Sequence, residues 1–144
     1  MSEEGKLNFL KYRHLLIAIF IIIMVIILNI IFENYSSKVI EKVNENIKKI
    51  EEILQEDQNT FEISDIKKME KLIGETIKHW EKKSGILTCF IEHEEIEKIN
   101  LKLHLLEVEL KSNLWGDARR TISEVEELVK FLNGKYTLSL QNIF

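Results

Sequence analysis

Metal-ligating, nucleophilic and acid–base chemistry in this chain would fall to four histidines, one cysteine and 24 acidic residues. A di-iron carboxylate bundle needs Glu-x-x-His pairs and further glutamates projecting inward. No histidine here has a glutamate three residues before it. The reverse order, His104-x-x-Glu107, falls at the b and e positions of its heptads, away from an almost wholly aliphatic seam. His93-Glu94-Glu95 reads as a helix start with acids at the positive end of the dipole, or as a contact for a partner. Cys89 is the only cysteine, which rules out an intrachain disulfide and a Cys-based metal site. Beside Thr88, Phe90 and Ile91 it is expected to be a buried small apolar residue; an intermolecular disulfide or a reactive thiol is the alternative. Gly74, Gly85, Gly116 and Gly134 are isolated, so no phosphate-cradling loop is present. No serine lies in a nucleophile motif, and the paired carboxylates sit in charged helix faces. The expectation is a protein that is not an enzyme and uses no metal or cofactor. Trp80 and Trp115 fall at core-facing positions; they suit core packing or an exposed anchor for a partner.

The elements that must position these residues are helices. Apolar residues recur at alternating spacings of three and four, the period of a packed helix face. The first stripe is Ile40, Val43, Ile47, Ile50 and Leu54, with a break expected at Asp57-Gln58-Asn59-Thr60. The second is Ile66, Met69, Ile73, Ile77 and Trp80, with Ser64 as candidate N-cap. Its phase continues across Ser84-Gly85 to Leu87 and Ile91, which predicts a helix reaching about Ile91. The third stripe is Ile96, Ile99, Leu103, Leu106 and Leu110, ending at Lys111-Ser112-Asn113. The fourth is Trp115, Ala118, Ile122, Val125, Val129 and Leu132, with Asn133-Gly134 as the expected stop. Pairs such as Glu94/Lys98 and Glu107/Lys111 mark solvated faces and add only about 0.2–0.5 kcal/mol each. Short connections force successive helices to lie antiparallel. The predicted fold is all-α, an antiparallel up-down bundle of about four helices. The tail 135–144 alternates apolar and polar residues and is expected to pack on the bundle or to meet a partner.

Ahead of the bundle, residues 15–32 read LLIAIFIIIMVIILNIIF, with Asn29 the only polar side chain. Eighteen such residues meet the length needed to cross a hydrocarbon core roughly 30 Å thick, and a lone spanning segment must be helical. The run is longer than a signal-peptide core of about 7–15 residues and lacks a small-residue cleavage pattern. Asn29 is expected either to bond another helix in the membrane or to lie near water at the interface. Lys6, Lys11 and Arg13 precede the run; Lys38 and Lys42 follow it, mixed with Glu33, Glu41 and Glu45. The positive-inside bias predicts a short cytoplasmic N-terminus (1–14), a single-pass cell-membrane anchor (15–32) and an extracytoplasmic domain (33–144). The full chain carries a net charge of −4 and no basic face, which disfavours nucleic acid and anionic lipid as partners.

In these residues the chain resembles the bacterial family called domain of unknown function 4363, found mainly in clostridial and related Firmicute proteins. The likeness lies in the N-terminal anchor, in Trp80 followed by Phe90-Ile91-Glu92-His93-Glu94-Glu95-Ile96, and in the Leu-rich stretch from Ile99 to Leu110. It continues in Asp117-Ala118 and in the ending Leu138-Ser139-Leu140-Gln141-Asn142-Ile143-Phe144. Gly116 departs from the pattern where an ordinary helix former is expected, which bears on where the last helix starts. The resemblance implies a membrane-anchored helical domain of a Gram-positive bacterium and no assigned activity.

Two functions are open on this reading. The first is a tethered interaction or structural module that binds another envelope protein or itself, with Trp80, His93, Glu95, Trp115, Ile143 and Phe144 as candidate contacts. The second is a ligand-sensing bundle that works with a separate membrane signalling partner, since about 14 cytoplasmic residues are too few for an output domain.

Overall fold

The absence of proline removes the strongest helix breaker, and the chain folds accordingly. In a computed structural model that describes residues 3–56 and 61–136, with side chains over 12–55 and 61–134, four helices account for nearly all of the described chain and no strand occurs in it. They are α1 (Glu3–Glu56), α2 (Ile63–Leu87), α3 (His93–Lys111) and α4 (Trp115–Tyr136). The chain divides into two compact units, Met1–Asn34 and Tyr35–Phe144, with the boundary inside α1.

In the first unit α1 is long and apolar enough to cross a membrane. Its large side chains from Leu15 to Ile31 are exposed all round the helix. The Asn29 amide donates to the Val25 carbonyl one turn back, at 3.0 Å, so a donor of the one polar side chain is satisfied within its own helix.

The second unit is built from the predicted stripes, with Ile66 and Trp115, the first residue of the second and fourth stripes, only half-buried. Ile40, Val43, Ile47, Ile50 and Leu54 of α1 are buried together with Met69, Ile73, Ile77 and Trp80 of α2. Ile96, Ile99, Leu103, Leu106 and Leu110 of α3 and Ala118, Ile122, Val125, Val129 and Leu132 of α4 complete the core. Each large aliphatic side chain so buried contributes about 1.5–3 kcal/mol. α3 packs against both α2 and α4. α1 is tied to α2 by the Tyr35 hydroxyl donating to the Lys83 carbonyl at 3.2 Å. A second tie is the buried Asn46 amide, which donates to Thr76 Oγ1 at 3.0 Å. Thr76 passes its own proton to the Leu72 carbonyl at 2.7 Å, so both hydroxyl functions are used. Arg119 of α4 donates to the Leu54 carbonyl in the last turn of α1, where helix carbonyls lack intrahelical partners.

Four local expectations are corrected. The N-cap of α2 is Glu62; Ser64 lies inside the helix and its hydroxyl donates to the Glu62 carboxylate at 3.2 Å. α2 runs through Gly85 as expected but ends at Leu87, not near Ile91. There the chain turns over Thr88–Phe90, with Ile91 N–H bonded to the Leu87 carbonyl at 2.8 Å, and Ile91 is still delivered to the core. Asn133-Gly134 does not stop α4, which continues to Tyr136; Gly134 has no positive φ, so it is not the left-handed residue that closes a helix. Cys89 is exposed in the α2–α3 turn, not buried. The expected break at 57–60 and the tail residues 137–144 lie outside the described residues.

Candidate partner-contact surface

Of the sequence-predicted contacts that the structure describes, Trp80 is buried, while His93, Glu95 and Trp115 keep accessible surface. Trp80 lies in the core with none of its side chain accessible, and its Nε1 has no hydrogen-bond partner. His93 is the first residue of α3, as its acidic neighbours imply; it is exposed, with Nε2 3.7 Å from Glu97. Glu95, in the first turn of α3, is half-buried and lines a groove of about 180 Å³ between α3 and α4, floored by Ile99 and Leu132 and edged by Leu128 and Phe131. Trp115 opens α4, half-buried, its ring tilted against Phe61 with centroids 4.8 Å apart. Gly116 occupies the first turn and does not displace the helix start; Ala118 N–H bonds the Leu114 carbonyl at 2.9 Å. Ile143 and Phe144 lie outside the described residues.

The surface that sequence reasoning missed is on α3. Leu101, Leu105 and Val108 are 67%, 39% and 57% exposed. They follow one another at i, i+4 and i+7, so they form one stripe on the face opposite Ile99, Leu103 and Leu106. α3 is therefore apolar on two faces, one in the core and one open. On α2, by contrast, the exposed large apolar residues Ile63 and Ile86 sit at the ends of the helix. The signal was present in the sequence: the same seven-residue repeat that selects Ile96 to Leu110 selects a second, offset set.

Charges frame the stripe. Lys98 pairs with Glu94 at 2.8 Å, which pulls the Glu94 carboxyl below its ordinary range through the hydrogen bond from Lys98. Lys102 reaches across to Glu124 of α4 and lowers that carboxyl in the same way. On the other flank His104 bridges helices, with Nε2 3.4 Å from Glu81 of α2 and Nδ1 3.7 Å from Glu107. Among the described residues, no three His, Cys, Asp or Glu side chains converge as metal ligands do.

A second, polar groove of about 510 Å³ lies between α1 and α4, lined by residues that include Asn44, Lys48, Glu126 and Lys130. Burial, and then the nearby Glu51 carboxylate, raises the Glu126 carboxyl above its ordinary value, with Lys48 opposing. Two further polar side chains are buried with an unpartnered atom, Glu109 (Oε2) on α3 and Thr121 (Oγ1) on α4.

The architecture and the pattern of residues define an all-helical domain preceded by an apolar helical run. The chain belongs to the family described as domain of unknown function (DUF4363), whose family model matches residues 30–143. No curated protein and no solved structure matches the chain significantly.

Proposed function

We propose that this protein is a non-enzymatic interaction module, anchored in the cell membrane by residues 15–32 and presenting the open face of α3 to a partner on the extracytoplasmic side. The observation that carries this reading is the stripe Leu101, Leu105 and Val108, apolar and exposed in the middle of a helix whose other apolar face already fills the core. Contiguous exposed apolar surface of this kind marks interaction sites. The anchor is supported by the exposed apolar run Leu15–Ile31, which suits hydrocarbon far better than water. The N-in orientation rests on Lys6, Lys11 and Arg13.

Hydrogen bonds support an antiparallel up-down bundle. The partners of Tyr35 and Asn46 are Lys83 and Thr76, so pairing descends α2 as it climbs α1. The three-residue connection Ser112–Leu114 and the Lys102–Glu124 pair suit the same arrangement for α3 and α4. A second reading, ligand sensing, rests on the polar α1–α4 groove, whose Lys48, Lys130 and Glu126 suit a small zwitterion.

The test is mild crosslinking of the tagged full-length protein in its own membranes, with and without Leu101→Glu/Leu105→Glu. The interaction reading expects a stoichiometric crosslinked species that this variant removes while thermal unfolding by circular dichroism is unchanged. A species untouched by the variant would sink the assignment to α3. A protein recovered without any crosslinked species would move the weight to the α1–α4 groove.

A further inference from the structure

A patch that binds its own copy must be self-complementary, each flank meeting the opposite flank of the partner. In parallel helix pairs this is met by opposite charges five residues apart on either side of an apolar seam, the g and e positions. If Leu101 and Val108 are placed at d and Leu105 at a, Glu97 falls at g and Lys102 at e, five residues on. Glu97 is well exposed, and Lys102 keeps about a third of its side chain accessible while it pairs with Glu124.

We infer that the occupant of the α3 stripe is a second copy of this chain, packed parallel about Leu101, Leu105 and Val108, with Glu97 of each copy beside Lys102 of the other. This names the partner for the surface assigned above and rests on that reading. Three side chains fall well short of the roughly 800 Å² per partner that a stable complex buries. The pairing is therefore weak between free molecules and is populated when a shared membrane confines the copies and raises their effective concentration. Lys98 and Ser112, the next positions along the seam, bound it: two lysines would face each other at one end and two short polar side chains at the other.

The experiment uses the full chain in membranes with Cys89→Ser removing its one thiol. Leu105→Cys is added at the centre of the stripe, and Ser123→Cys, exposed on α4, serves as control. Mild oxidation is expected to give a disulfide-linked dimer from Leu105→Cys at least tenfold more readily than from Ser123→Cys. Glu97→Lys and Lys102→Glu should each reduce that dimer severalfold, and the two together should restore it. Equal dimer from both cysteines, no dimer from Leu105→Cys, or no rescue by the charge exchange overturns the inference. If it fails while Leu101→Glu/Leu105→Glu still abolishes a crosslink to another protein, the interaction reading stands with a different partner.

Discussion

At the level of single residues, Asn46 of α1 and Thr76 of α2 form a buried side-chain hydrogen bond between helices. A buried amide bonded to a buried hydroxyl contributes little net stability, but leaving one half alone is costly. Asn46→Ala is expected to lower unfolding free energy in urea by about 1–3 kcal/mol, through the lost bond and the space left behind. Asn46→Leu with Thr76→Val should recover most of that loss, because both polar partners are then removed. If the double variant is as unstable as the single one, shape and not polarity governs the site. Glu126 offers a pH-dependent counterpart. Its carboxyl holds its proton more tightly folded than unfolded, chiefly because of burial. It therefore opposes folding at neutral pH, and the penalty fades as pH falls through its raised pKa and on through the ordinary carboxylate value. Glu126→Gln should be more stable than the parent at neutral pH and equal to it in acid, read from melting temperatures across pH. Neither site was legible in the sequence. Asn46 sits beside Ile47 in a charged segment, and its partner lies 30 residues away. Cys89 was misread for a related reason: apolar neighbours suggest burial, but a turn shows one neighbour to the core, Ile91, and leaves Phe90 and Cys89 outside.

Helices were far more legible than their ends. Except for Trp115, which is half-buried, the stripes of α1 beyond Val39, α3 and α4 are all buried, because a period of 3.6 with few glycines and no prolines leaves little else the chain could form; Asn46, Ile53, Glu109 and Thr121 are buried beside them. Ends depend on a few backbone bonds that composition does not reveal. α3 closes with Asn113 at φ 57°, Leu114 N–H on the Glu109 carbonyl at 2.9 Å and Asn113 N–H on the Leu110 carbonyl at 3.2 Å, a Schellman motif. The stretch Lys111-Ser112-Asn113 is the expected end of this helix and does end it, whereas Gly134 keeps an ordinary helical backbone. Asn113→Ala is expected to lower stability by about 1 kcal/mol because a Cβ-bearing side chain without local hydrogen bonding resists the left-handed conformation. Asn113→Gly should leave stability equal or slightly higher. The reverse order in chemical denaturation would show that the Asn side chain, and not φ, sets this end. The outer stripe of α3 is masked in the sequence because Leu101, Leu105 and Val108 repeat with the same period as the core stripe Ile96 to Leu110 and are interleaved with it.

For the whole molecule, the proposed topology is what assigns a side of the membrane to every surface described above, and it can be read without altering the chain. Cys89 is the only thiol and lies exposed in the α2–α3 turn, within the second unit. If Lys6, Lys11 and Arg13 hold the N-terminus in the cytoplasm, a membrane-impermeant maleimide added to intact cells must reach Cys89. Labelling should then be complete before lysis and should not rise on permeabilisation. Labelling only after permeabilisation would place the bundle inside, and the partner of α3 would have to be cytoplasmic. The comparison is informative because the flanking charges differ by so little: reversing Lys11 and Arg13 to glutamate should shift part of the population to the opposite orientation. Labelling of intact cells should then fall in proportion, while the folded bundle keeps its thermal unfolding. A chain whose labelling ignores those two residues would owe its orientation to the acidic, already helical segment after the anchor, and the charge rule would not be its determinant.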